Sequence, residues 1–173
     1  MIESVINKID SLYPITNKAL GYVVKKEINE IFYPCSQKNN EYKQLIDFQK
    51  LSDFHYWYLT NEVTSNELEN LYSVKRLYEL IYPMRVFICR KDGCDENLVL
   101  KFYKEIEQLS MATRATLEIA NCKIKIKSFS LLRDIILEQE FNQKPKLMDK
   151  FSIASIDVDI VIHIDKTCLD GLC

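Results

Sequence analysis

Apolar positions recur at helical spacing through the first half of the chain and switch to strict alternation near its end. Residues 3–13 place Val5, Ile6, Ile9 and Leu12 on one face, which predicts an amphipathic helix. Residues 16–33 repeat the spacing with Leu20, Val23, Val24, Ile28, Ile31 and Phe32, and residues 41–60 with Leu45, Phe48, Leu51, Phe54 and Tyr58. The capping box from Thr64 to Glu67 predicts a further helix to about Tyr82, carrying Leu68, Leu71, Tyr72, Tyr78 and Ile81.

After Pro83 the period changes. Met84–Arg90 is a short apolar run that reads as a strand, and Asp95 can cap a helix reaching about Met111. Residues 115–120 and 122–128 flank Asn121 and predict a β-hairpin. Ser130 can cap a helix that holds Leu131, Leu132, Ile135 and Ile136. Residues 155–165 alternate: Ile156, Val158, Ile160, Ile162 and Ile164 point one way, Asp157, Asp159, Val161, His163 and Asp165 the other. The predicted class is α+β. A helical region of about four helices over residues 1–83 precedes a ferredoxin-like β-α-β-β-α-β region over residues 84–173, and the two can share one core.

Composition narrows the chemistry. At 173 residues and 47% apolar, the chain can bury a real core. A net charge of -2 argues against binding nucleic acid or anionic membrane by bulk charge. Three well-separated glycines, Gly21, Gly93 and Gly171, exclude P-loops and dinucleotide fingerprints. Two histidines, His55 and His163, restrict imidazole chemistry. No leader pattern and no long apolar run stands out, so a soluble cytoplasmic protein without a membrane partner is expected. Of the six cysteines, Cys89/Cys94 and Cys168/Cys173 share a spacing that invites zinc, but it is wide for a knuckle. Reduced thiols are the plainer expectation, with Cys35 and Cys122 among them.

Three constellations carry candidate chemistry. Asp157, Asp159 and His163 share one strand face and could converge on a divalent cation able to activate water against a phosphoester. The plain alternative is a solvated edge strand that uses charge to block pairing. With the first strand of the region placed between the last strand and the Lys-bearing one, Arg85 should fall near Asp165, leaving Asp157 and Asp159 without a cation. Lys123, Lys125 and Lys127 form a basic row beside Phe87, which could bind single-stranded nucleic acid but offers one stacking ring. The aromatic run Phe54–Tyr58 would cover every side of a helix, which points Tyr56, Trp57 and Tyr58 toward an interface.

The leading expectation is a non-enzymatic interaction module, an accessory or regulatory subunit with a protein partner or a second copy of itself. No cofactor is expected. The alternatives are a hydrolase using a divalent metal and a nucleic-acid binder.

Overall fold

A computed structural model describes residues 2–38, 41–47, 50–68, 77–102, 104–105, 122–142 and 146–165. The fold is α+β, and one sheet organises it. Helix α1 (Ile2–Leu12) is followed by β1 (Ala19–Tyr22), a meander of β2 (Val24–Ile28), β3 (Ile31–Lys38) and β4 (Glu41–Gln44), then β5 (Phe54–Leu59), β6 (Thr64–Leu68) and β7 (Leu77–Arg90). Helix α2 covers residues 96–102 and 104–105. Strand β8 (Cys122–Ser130), helix α3 (Arg133–Phe141), a 3-10 turn (Lys146–Lys150) and β9 (Ser152–Asp165) complete the order. Among the described residues no helix is long and apolar enough to cross a membrane.

The main sheet runs β1-β5-β7-β9-β8, with β6 pairing β7 beside β5. Strands β7 and β9 are antiparallel through their whole length, from Leu77↔Asp165 to Arg90↔Ser152. Strands β5 and β6 lie end to end along one edge of β7, meeting it at Leu59↔Met84 and Thr64↔Ile81. The break falls at Pro83, which has no N–H to offer a ladder. Its carbonyl instead accepts the Thr60 N–H at 2.9 Å. The β2–β3–β4 meander turns through Asn29 and Glu30, both at positive φ (51° and 66°), the geometry of a two-residue hairpin loop.

Both faces of the sheet are covered. On the first face, Val5, Ile6 and Ile9 of α1 and Val99 and Phe102 of α2 pack on Trp57, Val86, Ile88, Ile124, Ile156, Val158 and Ile160. The Asp95 carboxylate accepts the Leu98 N–H at 2.7 Å and caps α2. On the second face, Ile136, Leu137 and Phe141 of α3 pack on Phe54, Tyr56, Tyr58, Phe87, Cys89 and Ile153.

Several expectations give way. The helix over residues 3–13 is present as α1, but the regions expected as helices over 16–33 and 41–60 hold strands β1 to β5 among their described residues, and the segment opening at Thr64 is β6. The described residues before position 84 are therefore mainly strand, and the boundary at 83 falls inside β7. The apolar cluster on the first face joins Val5 and Trp57 to Ile160, so residues from both halves share it. The expected pairing order also differs: β9 lies between β7 and β8, so the last strand is interior and not an edge. The expected arm at 115–120, the Asn121 turn, residues 106–111, Phe48, Leu71 and Tyr72 lie outside the described residues.

Candidate functional site

Strand β5 decides where the polar chemistry lies. Its sequence FHYWYL is bulky at every position, and both of its faces are buried. Alternation sends His55 and Trp57 to the first face and Phe54, Tyr56 and Tyr58 to the second. Each face receives one buried carboxylate from a helix: Asp10 of α1, 9% exposed, and Glu140 of α3, 0% exposed.

Beneath α1 the group is sealed. The Trp57 indole N–H donates to Asp10 Oδ1 at 2.9 Å. His55 Nε2 lies 3.0 Å from the same oxygen, and His55 Nδ1 lies 2.7 Å from Thr16 Oγ1. Carboxylate, imidazole and hydroxyl in line have the connectivity of a nucleophile relay. Yet His55 is wholly buried and Thr16 nearly so. The arrangement pins α1 to β5 rather than presenting a nucleophile.

Beneath α3 the group opens to solvent. Glu140 Oε2 accepts from the Tyr56 hydroxyl at 3.2 Å and from Lys25 Nζ at 3.4 Å. Glu140 Oε1 accepts a short hydrogen bond from the Tyr58 hydroxyl and lies 3.7 Å from Arg85 Nη1. Arg85 grips Asp157 through Nε (2.6 Å) and Nη2 (3.0 Å), and its Nη1 donates to Gln139 Oε1 at 3.0 Å. Lys25 Nζ also donates to the Gln139 carbonyl at 3.0 Å and sits 4.8 Å from the centre of the Tyr58 ring.

The electrostatics follow from this packing. Burial, and then the Glu140 charge, push the Tyr56 and Tyr58 phenols well above their ordinary range. Burial lowers the Lys25 ammonium even though Glu140 pulls it upward. The hydrogen bonds to Asp157 raise Arg85 further still. For Asp157, burial opposes ionisation, but the Arg85 bonds and charge outweigh it and hold the carboxyl below its usual value. Beside this cluster lies a cleft of about 550 Å³ lined by Tyr22, Val23, Val24, Lys25, Tyr58, Leu59, Thr60, Arg85 and Gln139.

The residues singled out by sequence lie elsewhere or are used differently. Asp157, Asp159 and His163 do share one face of β9, but each has its own partner. Arg85 pairs with Asp157 and not with Asp165, as the register Arg85↔Asp157 requires. Lys127 Nζ reaches Asp159 at 3.2 Å, which an interior β9 next to β8 makes possible. His163 Nε2 lies 3.2 Å from Glu79. A metal ion on this row would have to displace a two-pronged arginine, and among the described residues no three His, Cys, Asp or Glu side chains gather as a metal cluster.

Tyr56 and Trp57 are 0% exposed and Tyr58 8%, so all three are used inside the protein and not on an outer face. Lys123, Lys125 and Lys127 are exposed along β8, but Phe87, the ring expected beside them, is fully buried beneath α3. Burial pushes the Cys94 and Cys122 thiols up to about 11 and Cys89 higher, which leaves little nucleophilic thiolate near neutral pH. Cys168 and Cys173 lie outside the described residues, so the second half of the zinc spacing does too.

The sequence reading missed Lys25, Gln139 and Glu140. One signal was present: Ile136, Leu137, Glu140 and Phe141 share a helical stripe, so Glu140 stands among apolar neighbours. No protein-family model matches the chain, and no curated protein shows significant similarity to it.

Proposed function

We propose that this chain is a non-enzymatic subunit that docks on a protein partner, another copy of itself included, through the apolar surface at the start of α3. The observation that carries this reading is the exposure of large apolar side chains at the start of that helix, beyond the Ile136–Leu137–Phe141 stripe that packs inward. Leu132 and Ile135 are 63% and 50% exposed and Phe129, just before them, 38%, while Glu140 is buried. A surface helix normally turns its aliphatic side chains inward and its charges outward. Three large apolar side chains clustered along seven residues of chain are the composition of an interface centre. Around them Arg133 pairs with Asp134 and Asp149 at 3.3 and 2.8 Å, supplying a polar rim.

The candidate catalytic groups support the same reading from the other side. Asp157, Asp159 and His163 are engaged by Arg85, Lys127 and Glu79, and the His55 relay is sealed. The test is the Leu132→Ser/Ile135→Ser double variant, followed by sedimentation over a range of concentrations and by capture from the native host. Folding should be unchanged, because exposed positions typically shift stability by less than about 0.5 kcal/mol. Self-association, or a stoichiometric partner, should be seen with the unaltered chain and lost in the variant. An unaltered chain that stays monomeric and captures nothing would overturn the proposal.

A further inference from the structure

The cleft beside Glu140 shows a separation of charge. Its wall includes Lys25 and Arg85, whose side chains are 19% and 21% exposed, but neither of the carboxylates that pair with them. Glu140 is fully buried beneath the two tyrosine hydroxyls, and Asp157 is held by the two-pronged grip of Arg85. A molecule entering the cleft therefore meets two cations while both anions stand outside its lining.

We infer that this cleft binds a small monocarboxylic acid with an apolar body, the carboxylate at Lys25 and the body along Tyr22, Val24 and Leu59. Lys25 has three N–H donors, and Gln139 O and Glu140 Oε2 engage two of them. The rest of the ammonium stands against the Phe32 and Tyr58 rings, 5.4 and 4.8 Å from their centres, and borders the cleft, where the third donor is the one an incoming anion would use. Arg85 has turned its fork to Asp157, so it supplies field to the cleft rather than a second two-pronged contact. One remaining ammonium donor and a single neighbouring positive field suit a monoanion better than a phosphate dianion, which calls for several donors at once. The apolar side chains at the wall leave an alkyl chain a surface to cover. This inference is independent of the docking surface, which lies at the opposite end of α3.

The test uses hexanoate as the probe, with acetate, hexanol and inorganic phosphate as comparators. It follows thermal stability and the amide resonances of Val24, Thr60 and Gln139. Hexanoate should stabilise the protein and move those resonances, acetate should do so more weakly, and hexanol and phosphate should do neither. Lys25→Met, confirmed folded by its unfolding transition, should lose at least tenfold in hexanoate affinity. Val24→Trp, which keeps both cations and fills the wall, should also lose hexanoate binding, and it serves if Lys25→Met fails to fold. No response to hexanoate in the unaltered protein would overturn the inference. So would equal affinity in a folded Lys25→Met, hexanol binding as well as hexanoate, or phosphate binding more tightly than either.

Discussion

The two buried carboxylates that helices α1 and α3 supply, Asp10 and Glu140, sit on opposite faces of one strand and have opposite surroundings. Asp10 comes from the apolar side of α1 and receives Trp57 and His55. Glu140 comes from the apolar side of α3 and receives Tyr56, Tyr58 and Lys25. Buried aromatic rings, Trp57 and His55, serve the first, so no flexible stem leads from it to solvent. The second is reached by a lysine and an arginine whose stems run out to a cleft. A buried carboxylate by itself therefore does not mark a site. What distinguishes the two is whether the compensating groups are themselves within reach of a ligand.

The largest effect that would test this contrast is removal of either carboxylate. Asp10→Ala and Glu140→Ala should each lose roughly 3–5 kcal/mol in chemical denaturation, because each strands buried donors. The two should then part in a double-mutant cycle with Lys25→Met. Glu140 and Lys25 are in contact and should couple by about 0.5–3 kcal/mol, whereas Asp10 and Lys25, on opposite faces, should add within about 0.5 kcal/mol. Coupling of Asp10 to Lys25 would mean that the sheet does not insulate the two groups.

Next in size is loss of a single donor. Trp57→Phe and Tyr58→Phe should each cost about 1–3 kcal/mol by leaving a carboxylate oxygen short of a hydrogen bond. Both are read from denaturant midpoints. Only Tyr58→Phe should also alter hexanoate binding, since Tyr58 lines the cleft and Trp57 does not.

The pH dependence should come mainly from the open face. The folded pKa values of Tyr56 and Tyr58 are raised, so their stabilisation is complete below the ordinary value of 10.0 and is lost as pH climbs above it. Lys25 opposes this, because its lowered folded pKa makes stability rise with pH up to its ordinary value of 10.5. Asp157 has a lowered folded pKa, so its contribution is present above the ordinary value of 3.8 and is lost as pH falls through the depressed one. Following unfolding together with tyrosinate absorbance should show the two phenols ionising only as the protein opens. Tyr58→Phe should reduce the alkaline limb, and Arg85→Met should reduce the part of the acid limb that Asp157 contributes.

The smallest expected effect concerns the hairpin that carries Lys25. Glu30 stands at positive φ in the β2–β3 loop, where a side chain is strained. Glu30→Gly should stabilise by about 1 kcal/mol, seen as a raised melting temperature, and should leave hexanoate affinity unchanged.

Legibility of the sequence followed one-sided burial. Helix α1 and the register of apolar side chains on β9 could be read, because each element has one wet face or one strongly regular row. Strand β5 could not. With both faces covered it has no polar alternation, and its aromatics fit a helical spacing equally well. The β2–β3 hairpin was missed because Asn29-Glu30 lacks the glycine that usually announces such a loop. The acidic row of β9 was visible as a row, but its partners were not. Arg85 and Lys127 reach it through a strand order that no local pattern encodes.

The sequence by itself determined the element faces that meet water on one side, the lack of nucleotide-binding glycine loops and the scarcity of imidazoles. These follow from short-range periodicity and composition, which act over a few residues. Tertiary structure alone decided that β9 is interior, that Asp157 meets Arg85, and that Lys25 reaches Glu140 across 115 positions of sequence. Such pairings depend on sheet order and register. A shift of one residue in register would exchange the faces and send the same side chains to the opposite core.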